Sequence, residues 1–215
     1  MGFRLFFSLQ VRGYSSENGY GKEIITAFPF PTMRLFTAID ISTAVKSNLE
    51  TLVGRLRPTA KLKWSPPGNL HITTKFIGEW PEERLEELKP ALAALPQREA
   101  FEIAVQGLGW FPNPHSPRVF WAAVRAPAAL ADLARETDAA MARIGVPREP
   151  KPFAPHLTLA RIKEPVPLAA VRQAIAGLES DDFGRFTADR FYLYLSEMRP
   201  SGSVYTRLAE FPFER

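Results

Sequence analysis

The chain predicts an α+β fold built from two similar lobes that face each other. Two observations carry this expectation. Strand-like and helix-like runs alternate along the chain, yet two pairs of strand-like runs are joined by short hairpin loops, which implies antiparallel pairing. The second observation is an internal echo. Asn69–Gly78 reads N-L-H-I-T-T-K-F-I-G and Pro155–Arg161 reads P-H-L-T-L-A-R, and the two histidines lie 156 − 71 = 85 positions apart. The same offset carries Thr73 onto Thr158, Phe101 onto Phe186, Val119 onto Val204 and Ser42 onto Pro127. A period this long does not describe a repeat array, so it implies two lobes, each contributing one His-x-Thr unit.

The elements follow in order. Residues Met1–Thr32 lack sustained periodicity, and their apolar stretch is too short and broken for a secretory signal. They are expected to form a loosely ordered extension before a single bilobal domain at 33–215. Position 6 is Phe6 where a myristoylation signal needs Ser or Thr. Arg34–Asp40 has strand composition. Ser42 is placed to cap a helix to about Arg57, with Val45, Leu49, Leu52, Val53 and Leu56 on one stripe. A short strand at Leu62–Ser65 and a turn at Pro66-Pro67-Gly68 lead into the His71 strand, which Gly78 is expected to end. Pro81 opens a helix to about Leu95. Phe101–Phe111 and Val119–Arg125 read as a hairpin whose loop holds an exposed His115. The second lobe is taken to begin at Pro127, with a helix over Ala128–Ile144 stopped by Gly145. The His156 strand, a helix over Leu168–Leu178 and strands at Phe186–Glu197 and Val204–Phe211 complete the chain. Trp64, Trp80, Trp110 and Trp121 are expected in packing.

Composition narrows the functional classes. Apolar residues make up 46% and charged residues 23% of the 215 positions, enough to bury a real core. With no cysteine, disulfides and thiolate chemistry are excluded and a cytoplasmic location is expected. No apolar run is long enough to span a bilayer, so no membrane partner is expected. The net charge of +4, from 27 basic and 23 acidic residues, mildly favours anionic partners.

The two His-x-Thr units carry the chemistry. On a strand, His71, Thr73 and Lys75 would share one face and Ile72, Thr74 and Phe76 the other. His156 and Thr158 would likewise share a face. Two imidazoles can remove one proton and deliver another near neutral pH, while the threonine hydroxyls donate to an oxyanion held between them. A phosphate fits these donors and their basic flanks. Either histidine alone reads as readily as a hydrogen-bonded core residue, but two at equivalent positions do not. A zinc site would need three or four ligands, commonly with cysteine or nearby carboxylates, and neither motif carries an adjacent acid. No metal or cofactor is expected, and neither a G-x-S-x-G elbow nor a Gly-rich phosphate loop is present. Lys75, Phe153 and Tyr205 are candidate substrate contacts, the lysine by its charge and the aromatics by stacking.

From Met33 to the C-terminus the chain resembles the 2H phosphoesterase superfamily, in particular its RNA 2′,3′-cyclic phosphodiesterases, also called 2′-5′ RNA ligases. The likeness rests on H-I-T-T-K-F-I-G-E, F-A-P-H-L-T-L-A-R, the opening M-R-L-F-T-A-I-D, R-V-F-W-A-A-V and the closing R-P-S-G-S-V-Y-T-R-L-A-E-F. It implies two antiparallel sheets facing a central cleft with helices outside, and metal-independent hydrolysis of a terminal RNA 2′,3′-cyclic phosphate to a 2′-phosphate. His156 would be the proton acceptor, His71 the proton donor, and Thr73, Thr158 and Arg161 the phosphate ligands. Strict alternation puts Arg161 on the face opposite His156, so a bulge or strand end must re-aim it. Reversible 2′-5′ ligation, hydrolysis of a small cyclic nucleotide, and non-catalytic binding of phosphorylated RNA ends are the alternatives. A monomer is expected.

Overall fold

The structure, a computed structural model, describes residues 31–200 and 202–214. Of the expected extension Met1–Thr32, residues 1–30 lie outside the described residues, and Thr32 already opens a strand. Ser42 caps the first helix as its position demands: its hydroxyl accepts from the Val45 N–H of α1 (Thr43–Leu56). The five apolar residues of the expected stripe are all buried there. Each such side chain contributes about 1.5–3 kcal/mol on burial. The other helices are α2 (Leu85–Ala93), α3 (Ala128–Arg143) and α4 (Ala169–Ala176). Their apolar faces and those of the strands form a common core that includes Leu88, Leu92, Leu133, Met141, Val171, Ile72, Leu157 and Leu159.

The strands are β1 (Thr32–Asp40), β2 (Lys63–Trp64), β3 (His71–Pro81), β4 (Phe101–Phe111), β5 (Val119–Arg125), β6 (His156–Arg161), β7 (Asp182–Ala188), β8 (Arg190–Arg199) and β9 (Gly202–Pro212). They form one nine-stranded antiparallel sheet in the order β7-β4-β5-β6-β3-β1-β8-β9, with β2 paired to β6. The two halves meet at one residue pair, Ile72 opposite Leu157. About that junction the order is symmetric, β6 answering β3, β5 answering β1 and β4 answering β8.

This symmetry corrects two expectations. Adding 85 to β1 gives 117–125, which contains β5, so β5 opens the second repeat rather than closing the first. Each half then takes a strand from the other repeat, because β4 pairs with β5 and β8 with β1. The expected strand Phe186–Glu197 is two strands for the same reason. β7 pairs with β4, and after Asp189 the chain enters the other half as β8.

Alternation fails in β3 at a bulge. The register against β1 runs Ala38 opposite Thr73, then Thr37 opposite Lys75, skipping Thr74. Thr74 is buried, and its hydroxyl lies 2.8 Å from that of Thr37. Beyond the bulge the faces exchange. Lys75 turns away from the His71 face into the interior, and Phe76 turns out to 55% exposure. A second skip, at Ile77, precedes Gly78, whose φ of +83° suits glycine. The strand therefore continues past Gly78 to Pro81.

Lys75 is 2% exposed and reaches α3 and the segment after it. Its Nζ donates to Asp138 Oδ1 at 2.8 Å and to the Pro147 carbonyl at 2.7 Å, and lies 3.4 Å from Glu149 Oε1. Burial works to raise the Asp138 pKa, but hydrogen bonds from Lys75 and the Glu149 N–H outweigh it and hold the carboxyl below its ordinary range. Lys75 is thus a structural tie, not a substrate contact. Replacing Lys75 with Met should cost about 2 kcal/mol in denaturant unfolding, because it removes the buried charged donor to Asp138 and leaves the Pro147 carbonyl without its partner, while Arg148 still pairs with Asp138. Pairing that change with Asp138→Leu should restore much of the loss. A fully stable Lys75→Met protein would refute the tie.

Candidate active site

His71 and His156 occupy equivalent places at the starts of β3 and β6, and the six residues from each share one burial pattern. In each, the histidine and threonine are partly exposed on one face while Ile72 or Leu157 packs into the core on the other. β6 also carries the matching bulge. Phe120 lies opposite Ala160 and Trp121 opposite Thr158, skipping Leu159, which is 74 + 85. The bulge turns Arg161 onto the His156 face, as its expected role requires. Its symmetry mate on the other rim is the exposed Phe76.

The rings are held alike. His71 Nδ1 lies 2.8 Å from the Asn69 carbonyl and His156 Nδ1 lies 2.8 Å from the Ala154 carbonyl. A carbonyl only accepts, so each Nδ1 carries a proton and each neutral ring keeps its Nε2 lone pair. Both rings are held below the ordinary histidine range, His71 to about 4. Burial is the main cause in each, and the Arg161 charge adds to it in both. That shared influence places the guanidinium near both rings. For His71 the Asn69 carbonyl and then Asp40 oppose the shift, while His156 adds a small further depression.

The surroundings of the two rings differ. Phe36 stacks on His71 at 4.7 Å and on Tyr194 at 5.2 Å, with Tyr205 edge-on to His71 at 5.2 Å. Asp40 lies opposite His71 in the β1–β3 register. It accepts from the Tyr194 hydroxyl at 2.6 Å and from Arg207, whose Nε donates to the same hydroxyl at 3.0 Å. On the other side Phe111 is edge-on to His156 at 5.0 Å and packs on Trp121 at 4.9 Å. Trp121 is the mate of Phe36, 36 + 85 = 121, and Gly109 is the mate of Tyr194, 109 + 85 = 194. A side chain at Gly109 would put its Cβ 2.2 Å from the Trp121 ring, so the indole needs that glycine.

Of the residues expected from sequence, His71, Thr73, His156, Thr158, Arg161 and Tyr205 come together on the cleft face. Phe153 instead packs against the main core, and Lys75 lies behind the sheet. Phe36, Tyr194, Phe111 and Asp40 were not foreseen. The 85 offset relates Phe36 to Trp121, a signal that aromatic residues sit at equivalent places beside the two motifs. Among the described residues no three His, Asp or Glu side chains group so as to hold a metal ion.

The low pKa of His71 fixes a direction for stability. The unfolded ring binds a proton at about 6.5 and the folded ring only near 4, so stability present above pH 6.5 is lost as pH falls through that window. His71→Gln should flatten this part of the profile in urea midpoints measured across it. An unchanged slope would mean that the ring titrates alike in both states.

Comparison with known proteins gives one family. A family model described as LigT-like phosphoesterase matches residues 39–121 and 123–205, one match to each repeat. The chain is 34% identical over 179 residues to the RNA 2′,3′-cyclic phosphodiesterase of Archaeoglobus fulgidus, covering 83% of this chain and 99% of that protein. It is 37% identical over 186 residues to the protein of the same name from Thermus thermophilus, covering 83% and 89%. The crystal structure of TT0787 from Thermus thermophilus superposes with a TM-score of 0.71 at 34% identity, over 84% of this chain and 98% of that one. Escherichia coli LigT complexed with 3′-AMP shares the fold, with a TM-score of 0.69 at 24% identity over 86% of this chain and 100% of that one.

Proposed function

Because the chain belongs to the LigT-like phosphoesterase family, we propose that it hydrolyses a 2′,3′-cyclic phosphate at the end of an RNA, without a metal ion, and leaves a 2′-phosphate. The observation that carries this reading is the matched pair of imidazoles. Each is fixed through Nδ1 to a backbone carbonyl two residues earlier, and so each keeps Nε2 for proton transfer. His156 Nε2 takes a proton from a water that attacks phosphorus, and His71 gives one to the departing 3′ oxygen. The Thr73 and Thr158 hydroxyls donate to the non-bridging oxygens, and Arg161 offsets the charge that builds on them. Tyr205 and the exposed Phe76 offer aromatic surface to the terminal base.

The partners of the two rings support this division of roles. Asp40, held by Tyr194 and Arg207, favours a proton on His71, whereas among the described residues no carboxylate acts in this way on His156. Burial keeps both rings neutral in the free protein at neutral pH, so the bound phosphodiester anion raises the pKa of the donor ring, which takes its proton from solvent.

Incubating the protein with an oligonucleotide ending in 2′,3′-cyclic phosphate, with EDTA present, tests the reading directly. Conversion to a 2′-phosphate is expected, and loss of turnover in EDTA would overturn metal independence. His71→Ala and His156→Ala should each lower turnover at least about a hundredfold, with the double variant little worse than the worse single one. Arg161→Ala should raise KM or lower turnover.

The pH profile provides a second test. With both free-protein pKa values below 6.5, kcat/KM should trace a bell whose maximum lies on the acid side of that value. The limbs of kcat should lie at higher pH, because the bound anion favours protonated imidazole. The limbs belong to the coupled pair rather than to single residues. A kcat/KM maximum well above pH 6.5 would contradict the depressed values.

A further inference from the structure

One cationic position on the cleft face has no part in the reaction described above. β2 lies along the far end of β6, with Lys63 opposite Arg161 and Trp64 opposite Ala160. Directly opposed residues of an antiparallel pair share a face. Trp64 shows which face is which. Its ring meets the buried Phe120 edge-on at 6.2 Å and packs against the core, as does Ala160. Lys63 and Arg161 therefore point the other way, toward the histidines, and both are exposed. β2 is anchored in this place by Ser65, whose N–H donates to the Leu159 carbonyl at 2.8 Å and whose hydroxyl donates to the Thr158 carbonyl at 2.7 Å.

Like charges directly opposite each other destabilise a sheet. Among the described residues neither Lys63 nor Arg161 makes an ion pair, although Lys75, Arg98 and Arg207 all find carboxylates. The charge of Arg161 reaches both rings, so this guanidinium serves the reacting phosphate, and Lys63 stands beside it, one strand over. An extended ligand that carries a second anion next to the first satisfies both cations.

We propose that Lys63 forms, with Arg161, a second anion subsite that takes the phosphodiester on the 5′ side of the terminal nucleotide. The inference rests on the cyclic-phosphate reading and gives the RNA a direction, from the histidines along β6 toward β2. It makes the chain selective for RNA ends over free nucleoside 2′,3′-cyclic phosphates, which lack that group.

The test compares adenosine 2′,3′-cyclic phosphate, its 5′-phosphorylated form and a dinucleotide with the same end, as ratios of kcat/KM. The full-length protein should favour the two substrates with a 5′-side phosphate by about tenfold, the scale of a charge-assisted contact. Lys63→Ala should collapse that ratio toward one, Lys63→Arg should keep it and Lys63→Glu should invert it. The salt slope of log(kcat/KM) for the dinucleotide should fall by about 0.7 in Lys63→Ala. A ratio that survives Lys63→Ala, or a wild-type ratio near one, overturns the subsite. A second measurement needs no turnover: calorimetric binding of adenosine 2′,5′-bisphosphate against adenosine 2′-phosphate. The bisphosphate should bind about tenfold tighter, and only while position 63 is basic. If the protein hydrolyses none of the three substrates, the cyclic-phosphate reading fails, and the bisphosphate comparison still decides the role of Lys63.

Discussion

The halves of the sheet meet where Ile72 faces Leu157, and the four residues central to the proposed chemistry are the immediate chain neighbours of that pair. His71 and Thr73 flank Ile72; His156 and Thr158 flank Leu157. Both central residues are fully buried, so their neighbours must project from the opposite face. The core thereby fixes the direction of all four polar side chains. Beyond this contact the strands part, and β2 takes up the free edge of β6. The backbone contact between the halves is small, and the packing of their helices beneath it holds them together.

A bulge in each central strand completes the arrangement. Without the skip at Thr74 and at Leu159, residues five positions after each histidine would point into the core. With it, Arg161 and Phe76 reach opposite rims of the cleft. The residue before each, Lys75 or Ala160, is buried. A lysine in that place requires anions behind the sheet, which Asp138 and Glu149 supply. One backbone irregularity thus both turns Arg161 onto the histidine face and commits Lys75 to structure.

Within the duplicated frame the surroundings of the two histidines have diverged. One histidine lies against Phe36 and near an Asp40 that Tyr194 and Arg207 restrain; the other meets Phe111, with no restrained carboxylate among the described residues acting on it. Where one side uses a tyrosine, the other uses Gly109 so that an indole can fit. A symmetric site could exchange a proton equally in both directions. In the proposed reaction, differences at equivalent positions would give it a preferred direction.

Much of this was legible in the chain itself. Local chemistry determined the Ser42 cap and the buried stripe of α1, and the ends of β4 and β5 follow from periodicity and proline-rich punctuation. The two His-x-Thr units and their constant spacing implied a duplicated site, since period-2 alternation holds as far as Thr73 and Thr158. Tertiary structure decided what depends on a partner strand. Whether Lys75 or Phe76 faces the cleft is set by register against β1, and a single skipped residue reverses every later side chain. The break at Asp189 and the exchange of strands arise because β7 and β8 join different halves, a choice made by pairing partners far away in sequence. The low pKa of His71 likewise required burial by aromatic residues from β1, β8 and β9, which come together only when the sheet closes around the ring.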